Sequence, residues 1–306
     1  MTFWWQRLRD SYFFHNFVRD PIALFSFICL TVLVITSFGA PLIAPHDPYN
    51  TTTIDIMDSE LPPIWLDYSD DRFPLGTDSQ GRDMLSTILY GMRVSIIIGL
   101  GAVALQSFIG IIFGLLAGYQ GGRFDAVLMR MADVQLSFST YMVAIFFGAL
   151  FQAAFGMGVY EEFAIPLLIL IIGFAEWPQY ARTVRASVMA EKNKEYVEAA
   201  RVIGLSPNRI MWRQILPNTM TPVLVISTVQ VANAIMSEAA LSFIGLGMPV
   251  TRPSLGSLIK AGFDYIFSGS WWITLFPGIA LVLLILSINL LGDWLRDFLN
   301  PKLYKE

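Results

Sequence analysis

Six apolar stretches, each near the length of a bilayer crossing, constrain this chain more than any other feature. They are Ile22–Phe38, Val94–Tyr119, Ser139–Ala154, Ile165–Phe174 with its flanks, Pro222–Leu241 and Ile273–Leu291. A helix needs roughly 20 mostly apolar residues to cross hydrocarbon, where every backbone polar group must be satisfied internally. The expected fold is therefore all-α, a polytopic membrane protein of about six transmembrane helices. Composition agrees. The chain is 55% hydrophobic and 14% charged, with mean hydropathy +0.58, whereas about a quarter of an ordinary soluble protein is charged. The third and fourth stretches are the least clean, because Asp133 and Gln135 precede one and Glu176 interrupts the other.

The connecting segments set the orientation. With a cytoplasmic N-terminus, 15 of the 20 Lys and Arg fall inside, leaving only Arg72, Arg82, Arg93, Arg252 and Lys260 outside. That bias places both termini in the cytoplasm. Residues 1–20 mix Trp4, Trp5, Phe13 and Phe17 with Arg7, Arg9 and Arg19. They lack the long apolar core of a cleavable signal and suit an interfacial amphipathic helix. The first span then occupies 21–40 and an external loop 41–93, followed by a transmembrane core over 94–301 and a tail over 302–306. Between Pro41 and Asp83 lie six prolines and nine acidic residues, an ordered or semi-ordered loop without a domain's periodicity. Docking of an external partner and simple solvation both fit it.

The basic insert between the fourth and fifth stretches is the other marked feature. Trp177 to Asn218 holds Arg182, Arg185, Lys192, Lys194, Arg201, Arg209 and Arg213. Glu191–Ile203 reads as a helix, with Tyr196, Ala199, Ala200 and Ile203 recurring at three- and four-residue spacing. Gly204 supplies a left-handed residue just past its end. Ser206 and Pro207 open a second short helix as N-cap and first-turn proline, closing before Pro217. A helix presenting small residues suits a groove on another protein; a solvated connector that merely carries the inside charge fits the pattern equally. In the second stretch, Gly110, Gly114 and Gly118 stand at four-residue spacing, which lets a neighbouring helix approach closely.

Glu198-Ala199-Ala200, Gly204 and Leu216-Pro217 resemble the EAA loop of membrane subunits of binding-protein-dependent ABC importers. The common form carries Ile two residues before Leu-Pro; here that position is Gln214, and Ile215-Leu216-Pro217-Asn218 is similar to the peptide branch. Leu75-Gly76-Thr77-Asp78, Gly81-Arg82-Asp83 and Tyr90-Gly91 resemble the segment entering the second span of dipeptide, oligopeptide and nickel permeases. Glu238 to Gly247, Trp271-Trp272, Pro277-Gly278, Asn289 to Asp293 and Leu295-Arg296-Asp297 are similar to later motifs of the same permeases. The resemblance covers about residues 75–301 and points to the second, C-type subunit; Ser139 departs from it where relatives often carry proline.

That resemblance implies a type I ABC importer permease fold in a bacterial cytoplasmic membrane, with no catalysis by this chain. It implies a heterodimer with a second permease, two cytoplasmic ATPase subunits that bind ATP and magnesium, and an external solute-binding protein. No cofactor, metal or nucleic acid is implied for the chain itself. The EAA loop at about 185–218 would couple to the ATPases, through Glu195, Tyr196, Glu198, Ala199, Ala200, Ile203, Gly204 and Leu205. Peptides are the implied cargo, with nickel, haem or glutathione as alternatives.

Other chemistry is poorly represented. There is no Gly-Lys dipeptide and hence no Walker A loop, no His-Glu-x-x-His, no Gly-x-Ser-x-Gly and no Cys-x-x-Cys. Cys29 is a lone apolar-run cysteine, and His15 and His46 stand apart. An ion-coupled carrier or channel is the rival, but Asp133, Glu176, Glu238 and Asp293 fall near expected span ends and not at mid-membrane. Gln106, Gln230, Asn233 and Asn289 lie within spans, either lining a translocation path or bonding between helices.

Overall fold

The computed structural model describes residues 12–50, 52 and 54–299. Most of the expected interfacial helix over 1–20, and the tail 302–306, lie outside those residues; α1, Tyr12–Arg19, is its described part. Helix α2, Pro21–Phe38, starts where Asp20 accepts hydrogen bonds from Ile22 N and Ala23 N at 3.0 and 3.1 Å. An aspartate cap followed by a first-turn proline satisfies donors that a helix start leaves open. The larger helices that follow are α3 (Met84–Gln120), α4 (Gly122–Leu136), α5 (Thr140–Phe155) and α6 (Met157–Glu191). Then come α7 (Glu195–Val202), α8 (Pro207–Ile210 with its continuation to Asn218), α9 (Met220–Ile244), α10 (Leu255–Phe263) and α11 (Trp272–Phe298).

Five of these are long and apolar enough to cross a membrane, and α4 with α5, bent by 84° between them, makes a sixth candidate. No strand occurs among the described residues. The bend needs no proline: Ser139 takes an extended backbone (φ −65°, ψ 137°) between the two helices. Two spans outrun their expected limits. Helix α3 begins ten residues before Val94, because the Asp83 carboxylate accepts Ser86 N and caps it, while Ser86 and Thr87 are fully buried. The loop expected over 41–93 therefore closes at Asp83. Helix α6 runs through Pro166 and Pro178 for 35 residues, and Glu176 lies well inside it. Its carboxylate accepts Thr140 Oγ1 at the start of α5 and Gln179 Nε2 of α6 itself, so the polar residue inside the span is satisfied by a neighbouring helix and its own.

Two compact units make up the chain, one running through Ile96 and resuming at Ser242, the other Ile97–Leu241. In the second unit the glycine stripe of α3 meets α6 directly. A Cβ on Gly110, Gly114 or Gly118 would lie 2.3 Å from Tyr180 Cβ, 2.5 Å from Ala181 O and 2.8 Å from Val188 Cβ. The two backbones touch there in the manner of small-residue packing in membranes. Asp125 and Asp133 of α4 pair with Arg185 and Arg182 of α6, each at 2.5 Å.

The first unit holds the acidic loop. Among the loop's prolines a compact knot forms around Asp78, whose Oδ1 accepts Gln80 N and Arg82 N and whose Oδ2 accepts Arg82 Nε at 2.7 Å. The Arg82 guanidinium also donates to Val250 O at 2.9 Å. Gly81 is obligatory here: its φ is +79°, and a Cβ would sit 2.1 Å from Asp55 O. The knot is pinned to the start of α11 by Trp272 Nε1 donating to Thr77 O and by Ser270 Oγ donating to Glu60 Oε2.

Candidate functional site

The basic insert is built as two short helices with a tight turn between them. The expected single helix over Glu191–Ile203 is broken at 192–194, where α6 ends and α7 begins. The two lysines at the break are both bonded. Lys192 Nζ donates to Gly118 O at the C-terminal end of α3, 2.8 Å away, and Lys194 Nζ to Glu191 Oε1 at 2.6 Å. A cation at a helix C-terminus also complements its dipole.

Helix α7 ends in a Schellman motif. Gly204 N donates to Arg201 O and Leu205 N to Ala200 O, with Gly204 at φ +81°. Ser206 takes the N-cap position of α8, but its side chain makes no capping bond. Contrary to expectation, α8 does not stop before Pro217. It widens into a π-helical turn over Met211–Ile215 and continues through Leu216–Asn218. A wider turn absorbs the missing N–H and the ring of the proline.

The expected docking residues do not share one face. Val197 and Ala200 are buried on the side of α7 that packs against α8. Ala200 therefore fills the insert's own small core. Outward stand Glu195, Glu198 and Ala199, then Val202 at 87% exposure, Ile203 at 75% and Gly204. Val202 is the residue that spacing missed; alternation of buried Val197 and Ala200 would have placed it outward. Leu205 is half-buried. Tyr196 turns back, donating to Glu191 Oε2 at 2.8 Å and accepting from Asn218 Nδ2 at 3.3 Å. Burial, then the bond to the Glu191 carboxylate, holds the Tyr196 phenol above its usual value. The outcome is an exposed apolar tip on a rigid mount.

The polar residues within spans separate into two groups. Gln106 of α3 and Gln230 of α9 are buried and bond each other at 3.4 Å, and Asn233 Nδ2 donates to Gln230 Oε1 at 2.8 Å. The two glutamines thus serve interhelical bonding, and Asn233 is the exposed end of that network. Asn289, half-buried, belongs to α11 in the other unit. Among the described residues, no group of three or more His, Cys, Asp or Glu is placed to hold a metal ion.

Comparison with known proteins bears on this arrangement. Residues 110–305 match the family described as binding-protein-dependent transport system inner membrane component, and residues 2–63 match the N-terminal TM domain of oligopeptide transport permease C. The chain is 36% identical over 291 residues to the di/tripeptide transport system permease protein DppC of Pseudomonas aeruginosa, covering 95% of this chain and 91% of that one. It is 33% identical over 299 residues to the dipeptide transport system permease protein DppC of Bacillus subtilis, covering 98% and 85%. Among solved structures it resembles a chain of the inward-facing MetNI methionine ABC transporter, with TM-score 0.56 at 17% identity, covering 71% of this chain and 98% of that chain.

Proposed function

The chain belongs to the binding-protein-dependent transport inner membrane component family, and from that premise we propose that it is the C-type transmembrane subunit of an ATP-driven importer of di- and oligopeptides. Its partners are a second permease, two cytoplasmic ATPase subunits and an external solute-binding protein. ATP and magnesium are bound by the ATPases, so this chain performs no bond chemistry. Both termini and the basic insert face the cytoplasm, following the distribution of Lys and Arg. The ion-coupled carrier alternative falls with membership of this family. Peptide cargo follows from the relatives named above, and the bound solute is selected largely outside the membrane.

One observation carries the coupling mechanism. The insert exposes Val202, Ile203 and Gly204 beyond Glu198 and Ala199, while Lys192, Glu191 and Tyr196 tie its base to the ends of α3, α6 and α8. An exposed apolar tip in a charged segment suits a cleft in a partner. A rigid tie means that a cleft which moves on binding ATP moves α3 and α6 with it. Such a lever shifts the equilibrium of the spans only if its contact energy differs between the two states. Asn233 is the residue of the polar network that can meet cargo; Gln106 and Gln230 keep α3 and α9 in register behind it.

The test is paired uptake and ATP hydrolysis in proteoliposomes of the full complex. Ile203→Asp, Glu198→Ala and Gly204→Val are expected to abolish or sharply reduce labelled dipeptide uptake while membrane insertion stays normal. Ile203→Asp disturbs nothing packed, so its uptake at the wild-type rate would remove the lever assignment.

A further inference from the structure

The acidic loop carries a group of exposed aromatic and apolar residues that transport does not explain. Ile64, Trp65, Leu66 and Tyr68 are all exposed, Tyr68 at 94%. Tyr68 also has φ +65°, a conformation that a bulky residue adopts only where its surroundings impose it. The segment is held from both sides: Leu66 N donates to Pro63 O, Ile64 N to Pro74 O, and Ser69 Oγ to Ile64 O. A strained backbone thus presents a large ring to its surroundings.

Where the segment sits identifies those surroundings. The Trp65 ring lies 6.0 Å from Phe276, and Trp271 lies 5.8 Å from the same ring. Phe276 is in the first turns of α11, one of the membrane-crossing helices. From it the exposed residues Leu275, Ile279, Val282 and Leu286 continue along that helix. The loop aromatics therefore extend the apolar surface of a span outward at the depth where Trp and Tyr are enriched in membrane proteins. Phe267, 93% exposed and four residues before Trp271, adds a further ring at the same end of α11. Charge narrows the lipid. Asp67 and Asp71 are exposed beside these rings, while the one cation of the segment, Arg72, is held by Asp58 and Asp70 at 2.9 and 2.8 Å.

We infer that Trp65, Leu66 and Tyr68 form an interfacial anchor that seats the acidic loop in the headgroup region of a zwitterionic leaflet. The anchor fixes the depth of the loop, and through Trp272 and Ser270 the depth of α11. It does not depend on what the chain transports.

Spin-label accessibility tests this in the assembled complex, reconstituted in nanodiscs of phosphatidylethanolamine and phosphatidylcholine. In a Cys29→Ser background, labels at Trp65→Cys and Tyr68→Cys are compared with Gln80→Cys in the same loop and Val282→Cys on α11. The ratio of collisions with oxygen to collisions with a water-soluble nickel chelate should be severalfold higher at 65 and 68 than at 80, approaching that at 282. Ratios at 65 and 68 equal to that at 80 would overturn the anchor. So would shielding from both reagents that appears only on adding the solute-binding protein, which would make the segment a protein-docking surface. If the cysteine variants do not assemble, quenching by lipids brominated near the headgroup decides. Trp65→Phe should then lose part of the quenched fluorescence, and an unchanged quenched fraction also overturns the proposal.

Discussion

The acidic loop and the basic insert both carry motif residues outside the long apolar helices, and physically they are opposites. In the loop, Asp78 and Arg82 are 2% and 4% exposed and answer each other's hydrogen bonds. In the insert, Glu198 is exposed, with no side-chain bond among the described residues, and Val202 and Ile203 stand in solvent. The loop's motif is complete within the chain. The insert's motif leaves Glu198, Val202 and Ile203 exposed. Residues of similar type are therefore satisfied inside the chain in the loop and left open at the surface in the insert.

The largest test of that contrast is to remove one partner of the buried pair. Asp78→Ala leaves the Arg82 guanidinium buried with only Val250 O, and breaking such pairs costs about 3–5 kcal/mol. The purified chain should show a large drop in melting temperature and reduced abundance in membranes. Glu198→Ala, by comparison, should stay within about 0.5 kcal/mol of wild type, as an unpartnered surface change does. Equal losses of thermal stability in the two variants would dissolve the distinction.

The two turn glycines sharpen it. Gly81 and Gly204 have nearly the same dihedral, φ +79° and +81°. An alanine at either carries a left-handed strain of about 1–2 kcal/mol. At Gly204 nothing lies within 4 Å of the added Cβ, whereas at Gly81 the carbonyl oxygen of Asp55 lies 2.1 Å away. Backbone must therefore move in the loop, adding about 1–3 kcal/mol of overpacking. Gly81→Ala should unfold at clearly lower temperature than Gly204→Ala. If the two melt together, the loop yields more easily than its hydrogen bonds imply.

How much of this was legible differs between the two segments for a physical reason. The spans were readable because hydrocarbon tolerates only long apolar helices, and the Gly110, Gly114 and Gly118 contact because small residues at that spacing have one main use in membranes. The turn at Gly204 followed from local chemistry alone. The start of α3 at Met84 was not legible, since Ser86 and Thr87 look like loop residues until Asp83 and the surrounding knot bury them. Likewise the inward turn of Ala200 depends on α8 packing beneath α7, which no spacing within α7 reveals. The knot itself was visible only as a family motif, because its bonds join residues as distant as Arg82 and Val250.

The smallest expected effect concerns acid. The side-chain hydrogen bond from Arg72, with the Arg72 backbone N–H and charge adding to it, holds the Asp70 carboxyl below its ordinary value. A carboxylate with a folded-state pKa below its unfolded one contributes stability above the unfolded value and loses it as pH falls through the folded one. The Arg72 bridge from Asp70 to Asp58 should therefore be intact near neutrality and weaken only below about pH 4. Because Asp70 is solvent-exposed, screening keeps the effect slight. Limited proteolysis of the loop should accelerate modestly on acidification, and Asp70→Asn should cleave at neutral pH as wild type does in acid. An acid response unchanged in Asp70→Asn would show that the Arg72 bridge is not its origin.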